Sequence, residues 1–182
     1  VSLFSRLVGQ GVRPVLLDTQ YRMHPLIAEF PSDAFYAGHL ATGINHRDRQ
    51  PPQGFMWPNG SIPVAFVLTD KERDNEESAE GNSYTNACEV RKAIDAVFGL
   101  HDAGDLPNGV DDIGIITPYS SQVRLIKRCL REKRILHPIK NVEVSSVDGF
   151  QGREKEVIVF CAVRSNEERK VGFLCDWRRM NV

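Results

Sequence analysis

Apolar residues along this chain alternate between short continuous runs and longer, helically spaced stretches. Val15-Leu16-Leu17, closing in Asp18 and Thr19, reads as a short buried strand. Residues 25–36 carry Leu26, Ile27, Phe30, Ala34 and Phe35 near helical spacing, and Pro31 is expected to break or restart that helix. Segment 43–63 holds four prolines and little periodicity, which predicts a long surface connection. Val64 to Leu68 is a second strand candidate, and the acidic stretch 70–82 is expected to form a mobile loop. Asn82 or Ser83 then caps a helix to about Leu100, with Ala87, Val90, Ile94, Val97 and Phe98 on one face. After a Gly/Asp/Pro loop from His101 to Asp112, Ile113–Ile116 is a strand ending at Thr117-Pro118-Tyr119. Ser120 opens a helix to about Lys133 that buries Val123, Ile126 and Leu130, and Val142–Val147 and Val157–Val163 are further apolar strands.

Strands that alternate with helices, and are too apolar for one-sided burial, argue for a mostly parallel sheet covered on both faces. The fold expected is α/β, three-layered and RecA-like, of the P-loop-NTPase type; the strand order is not legible. A length of 182 residues suits one well-buried domain. Composition changes this picture little, since 41% hydrophobic and 26% charged residues are ordinary for a globular chain and the net charge of −1 points to no partner. Local charge is uneven. Segment 122–140 sets seven Lys or Arg against the single acid Glu132, a net of +6, while segment 70–80 carries a net of −4. Cys88, Cys129, Cys161 and Cys175 form no CxxC pair, which predicts a reduced intracellular protein without structural zinc. Neither a signal peptide nor an apolar run near the roughly 18 residues of a membrane span is present. Because the chain opens at Val1 and stops just after an apparent helix start, it reads as an excerpt of something longer.

Candidate chemistry gathers at strand ends, where α/β proteins place ligands. Asp148-Gly149-Phe150-Gln151-Gly152-Arg153-Glu154 lies between two strands. Its glycines allow close backbone approach to a phosphate, and Glu154 can accept from a ribose diol. A tight turn with solvated charges is the bland alternative, disfavoured by Gln151 and Glu154 at fixed offsets. Gln20-Tyr21-Arg22-Met23-His24-Pro25 follows another strand. There Arg22 offers a planar fork for a phosphate and Tyr21 a face for a base; an isolated Tyr-Arg would otherwise read as core packing and an ion pair. His24 is expected to be a structural hydrogen-bonder. At Thr117, Pro118, Tyr119 and Ser120 a helix N-terminus and hydroxyls suit a nucleic-acid phosphate, although a plain N-cap explains Ser120 almost as well. Ser145 and Ser146 interrupt an apolar strand and need hydrogen-bond partners, a backbone phosphate or neighbouring main chain. Arg124, Lys127, Arg128 and Arg131 form a basic stripe, by itself weak evidence for nucleic acid.

At these residues the sequence resembles the second RecA-like domain of superfamily 1B helicases, specifically the up-frameshift RNA helicases of nonsense-mediated mRNA decay. The likeness runs through Leu3-Phe4-Ser5-Arg6-Leu7, Gln20–Pro25, Phe30-Pro31-Ser32 with Phe35-Tyr36, Ile113–Tyr119, Val144–Glu156, and Gly172-Phe173-Leu174 leading to Arg178–Val182. Senataxin and the immunoglobulin mu-binding helicase share many of these motifs. The resemblance implies that Tyr21 packs on the adenine nucleotide, that Arg22 reaches the γ-phosphate as the catalytic arginine, and that Glu154 binds the ribose. Gln20, Gln151 and Gly152 belong to the same nucleotide-facing motifs, and Thr117 with Ser145-Ser146 would hold the phosphates of the single strand.

The family's Gly-Lys-Thr loop, its Asp-Glu pair for Mg²⁺ and its upstream glutamines have no counterpart in the sequence, and the sixth motif stops within Asp176–Val182. The expectation is therefore an ATP- and Mg²⁺-dependent RNA helicase, with DNA as the alternative substrate, of which residues 1–182 supply half the ATP cleft and which are inactive alone. Its partners would be single-stranded RNA or DNA, an N-terminal RecA-like domain of the same parent and mRNA-decay factors, in the cytoplasm or nucleus. The rival readings are a non-enzymatic helicase-derived interaction module and a small-molecule kinase on the same sheet.

Overall fold

The computed structural model describes residues 2–69, 75–133, 139 and 142–175. The expected sixth-motif segment Asp176–Val182 and the basic residues Arg134 and Lys140 lie outside the described residues. The chain divides into two compact units, Val1–Gln50 and Pro51–Val182, where length alone suggested one domain.

The first unit starts with α1 (Leu3–Gly9), capped by the Ser2 hydroxyl, which accepts from the Ser5 amide. The apolar run Val15-Leu16-Leu17 does not form the predicted buried strand. Among the described residues it pairs with nothing, and Val15 and Leu17 are 88% and 85% exposed. An apolar run becomes a strand only where a neighbour completes its ladder, and the ladder here begins later. β1 (Thr19–Gln20) pairs in parallel with β2 (Ala41–Thr42). Between them α2 (Pro25–Tyr36) begins with Pro25 in its first turn, where a missing N–H costs nothing, and His24 as its cap. Pro31 does not break α2, contrary to expectation. Its ring removes one bond, to the Ile27 carbonyl, and Ile27 is exposed enough for water to take that carbonyl instead. The helix ends at Ala37, whose φ of 51° turns the chain left-handed, and the Gly38 amide returns to the Ser32 carbonyl (2.9 Å).

In the second unit, Val64–Leu68 also joins no ladder among the described residues, and Val64, Phe66, Val67 and Leu68 are exposed. Of the loop expected over 70–82, residues 70–74 lie outside the described residues; in the remainder β3 (Ser78–Glu80) and β4 (Ser83–Thr85) make an antiparallel hairpin turning at Gly81, φ 61°. That hairpin absorbs Ser83, so α3 (Ala87–Ala103) starts later than predicted, on Asn86, whose side chain accepts from the Glu89 amide. β5 (Ile113–Thr117), α4 (Ser120–Lys133), β6 (Glu143–Ser146), α5 (Val147–Phe150) and β7 (Val157–Phe160) follow. The sheet runs β6-β5-β7, all parallel.

Alternation along β5 builds two cores. Ile113 and Ile115 face Val90, Ile94, Val97, Ile126 and Leu130 of α3 and α4, while Ile116 faces Val147 and Phe150 of α5. β5 is buried at every position, as a central parallel strand must be. The second face is covered over β5 but open over β7, where Ile158 and Phe160 remain exposed. Among the described residues no helix is long and apolar enough to cross a membrane.

Candidate functional site

In the first unit the loop after β1 is built around one side chain. The Gln20 amide donates to the Met23 carbonyl (2.8 Å) and to Thr42 Oγ1 (3.1 Å), while its oxygen accepts from the Arg22 and Met23 amides (2.8 and 2.7 Å). Two donors and two acceptor sites exhaust what a Gln side chain can offer. Gln20, expected to touch nucleotide, is thus a positioning residue here. What it positions is outward: Tyr21 is 65% exposed and Arg22 is exposed. The Arg22 carbonyl is held by Arg49 Nε (3.0 Å), and a Cβ at position 43 would run into the Tyr21 ring, so Gly43 leaves that ring its place. His24 is buried edge-on to His46 (centroids 4.8 Å apart) and its Nδ1 accepts from the Leu26 amide. Burial, then the neighbouring His46, lowers its pKa. His24 therefore stays a neutral cap, matching the structural role expected of it.

In the second unit the sequence candidates meet at the carboxyl ends of parallel strands. Register pairs Ile116 with Ser145 and Thr117 with Ser146. The Ser146 hydroxyl caps α5 by accepting from the Gly149 amide (3.1 Å). A Cβ on Gly149 would stand 2.8 Å from Ser145 Oγ and 3.0 Å from Ser146 Oγ, so glycine lets the short helix close over both hydroxyls. The chain then turns at Gly152, φ 82°, and leaves Gln151 and Glu154 exposed. Arg153 and Lys155, on either side of Glu154, both pair with Glu143 on β6, and Lys155 Nζ also donates to the Asp111 carbonyl (2.5 Å). The turn is pinned by its basic residues and offers its polar ones to solvent.

Two expected contact residues are buried. Thr117 is fully buried at the end of the central strand, and its Oγ1 faces the Tyr119 amide (3.5 Å). The Tyr119 ring is 6% exposed and packs edge-on to Tyr84, which also carries the Arg164 guanidinium 4.4 Å over its face. Neither side chain can meet a strand directly in this conformation. Pro118, Ser145 and Ser146 are partly exposed and remain as the reachable members of that group.

A buried polar network behind this rim escaped the reading of the sequence. The Gln122 side chain, fully buried, accepts from the Asn86 amide (2.9 Å) and donates to the Asn86 carbonyl (3.1 Å), as a neighbouring strand would. Asn86 Nδ2 donates to the Asn75 and Val163 carbonyls. Both Glu89 oxygens accept from the Val163 amide at 2.9 Å. Val163 takes a φ of 71°, a costly conformation for a β-branched residue that persists because its surroundings fix it. Beyond it, Glu77 accepts from Arg164 Nε (2.8 Å) and the Ser165 amide (2.9 Å). The signal available in sequence was the spacing Asn86-x-x-Glu89, that of a capping box.

Burial raises the Glu89 pKa above its ordinary 4.5, against the opposing bonds from Val163 and Ala162. The folded state therefore holds that proton more tightly than the unfolded chain. Stability from this group is full below the unfolded pKa of 4.5 and is lost as pH rises through the folded value. E89Q should flatten this fall in a series of denaturant titrations across that window; an unchanged slope contradicts the assignment.

The exposed Tyr21 face and Arg22 fork suit the base and phosphates of an adenine nucleotide. Among the described residues no group of three or more His, Cys, Asp or Glu is placed to hold a metal ion.

Comparison with known proteins follows the same direction. The family model described as AAA domain matches residues 1–182. The chain is 40% identical over its whole length to the Regulator of nonsense transcripts 1 homolog of Drosophila melanogaster, covering 15% of that protein. It is 42% identical, again over its whole length, to the homolog of the same name in Arabidopsis thaliana and to the ATP-dependent helicase NAM7 of Saccharomyces cerevisiae, covering 14% and 18% of them. The chain thus spans less than a fifth of the length of these relatives. The family match and the parallel α/β sheet together give a RecA-like, P-loop-type fold.

Proposed function

The chain belongs to the AAA domain family, and from that premise we propose that it is the second RecA-like domain of an ATP-dependent helicase acting on single-stranded RNA, and on DNA as well. In this reading Tyr21 stacks on the adenine, Arg22 donates to the γ-phosphate, and Gln151, Gly152 and Glu154 contribute to the nucleotide-facing turn, with Glu154 on the ribose. Bound ATP supplies the phosphoryl group and the free energy of its transfer; Mg²⁺ would be held by residues of another domain. Arg22 stabilises charge spread over the transferring group, an electrostatic contribution that needs only correct placement. The observation that supports the reading is the Gln20 amide, whose hydrogen bonds hold the backbone of the loop that carries Tyr21 and Arg22.

Pro118, Ser145, Ser146 and the amides around them would take the strand's phosphates, with Thr117 and Tyr119 supporting from beneath. Cleft closure and release would then step this rim along the backbone. The names of the relatives, regulators of nonsense transcripts among them, favour an mRNA-decay role and decay factors as partners.

Contacts to phosphate rather than bases make binding indifferent to sequence and steeply dependent on salt. Fluorescence anisotropy of the full-length protein with single-stranded homopolymers should show similar affinities at one salt concentration, each falling as salt rises. Strong discrimination between homopolymers of the same sugar, or no binding, would overturn the reading. Binding without any ATP turnover would favour the interaction-module alternative.

A further inference from the structure

α4 begins three residues after β5 ends, so its first turn stands at the strand-end rim and its length runs away from it. Its buried side carries Gln122, Ile126 and Leu130. Its outward side carries Arg124, Lys127, Arg128 and Arg131, all exposed and spaced three or four residues apart, hence on one face. These four cations, with Ser121 and Leu125, line an open groove whose far wall is Glu80 at the tip of the β3–β4 hairpin. In a chain of net charge −1, such a concentration is local to this face.

The charges are poorly neutralised. Arg124 meets Glu80 at 3.4 Å, but both side chains are more than half exposed, and such pairs contribute little. The same guanidinium donates to Ser121 Oγ (2.7 Å), which steadies it at the rim end of the groove. Arg131 donates to its own helix, at the Lys127 carbonyl. Among the described residues neither Lys127 nor Arg128 has an ion pair, although Glu132 is one turn along from Arg128. Among the described residues the groove has no aromatic lining, and Leu125 is the sole apolar one that lines it. Peptide grooves depend on apolar anchors and base platforms on aromatic rings. A row of cations without either fits a sugar–phosphate backbone read as charge alone. From Arg124 to Arg131 the helix rises about 10 Å, room for about two or three phosphates at 3.4 Å or more per nucleotide.

We propose that this face of α4 is a second track for single-stranded nucleic acid, continuing the strand's path from the Pro118–Ser146 rim down the outside of the domain. Glu80 acts as a competing anion that an arriving phosphate displaces from Arg124. The proposal rests on the helicase reading for the rim, and the two can be told apart by oligonucleotide length.

The test uses the full-length protein and single-stranded oligouridylates of two lengths, one covering the rim alone and one long enough to reach α4. For the long oligomer, the double substitution K127E/R128E should reduce the slope of log affinity against log salt by about 1.4, or about 0.7 for each phosphate no longer neutralised. E80Q should tighten binding of the long oligomer. Neither change should alter binding of the short one. An unchanged long-oligomer slope in K127E/R128E, with wild-type binding intact, overturns the second track while sparing the rim. Failure of the wild type to bind either oligomer removes both. Stronger displacement of the long oligomer by polyglutamate than by polyuridylate, lost in K127E/R128E, would assign the face to an acidic polypeptide and overturn the proposal.

Discussion

Alanine at Arg22 is expected to lower RNA-stimulated ATP turnover of the full-length protein by about 10³-fold, the lower end of what a phosphate-facing arginine contributes. The guanidinium is held outward on a loop whose backbone is fixed at Arg22 and Met23 by Gln20 and at the Arg22 carbonyl by Arg49. Its removal takes a planar, two-pronged donor from the transferring group and leaves the backbone bonds from Gln20 and Arg49 in place. The loss should fall on kcat more than on KM, since charge on the phosphoryl oxygens changes most in the transition state. Lysine should restore little, lacking the fork. Turnover that survives in R22A at the wild-type rate would remove Arg22 from the chemistry. Q20A should reduce kcat by a smaller factor, because it frees the loop without removing the donor.

The largest effect on stability is expected from Gln122. Its side chain closes a two-bond ladder with the Asn86 main chain in a fully buried place. Q122L keeps the volume and strands the buried Asn86 amide, while the Asn86 carbonyl keeps its bond from the Val90 amide (3.2 Å), so a loss of about 1–3 kcal/mol should appear in denaturant unfolding. A loss under about 1 kcal/mol would mean that water or a shifted backbone replaces those bonds. Asn86 also caps α3 and reaches Val163, so Q122L should additionally loosen the segment after β7.

The central part of the fold was legible because its elements satisfy local and tertiary demands together. Ile113–Thr117 is apolar enough for a strand buried on both faces, and Ser120–Lys133 has the period of a helix packed on one side. Val15–Leu17 and Val64–Leu68 carry the same local signal but find no ladder among the described residues, and pairing is not written in a strand's own composition. Pro31 misled in the opposite sense, since a ring in a helix is tolerated where the freed carbonyl can be hydrated.

At the candidate site, residue type showed where polar chemistry gathers and not which atoms face outward. Thr117 and Tyr119 lie at the candidate strand end but are turned into the core. Gln20, expected at the nucleotide, braces its own loop, and Gln122, which the sequence did not single out, braces the start of α3. A Gln with four possible hydrogen bonds satisfies a backbone as readily as a ligand, and only coordinates separate the two uses. Tyr21, Arg22, Gln151 and Glu154 remain exposed, each on a loop or turn fixed by other residues.

The most direct measurement is ATP turnover by the full-length protein with and without single-stranded RNA, at protein concentrations where wild-type binding is saturated. A rate that rises with RNA in the wild type and stays near baseline in R22A is the predicted result. A wild-type rate indifferent to RNA, or no hydrolysis at all, would contradict the account.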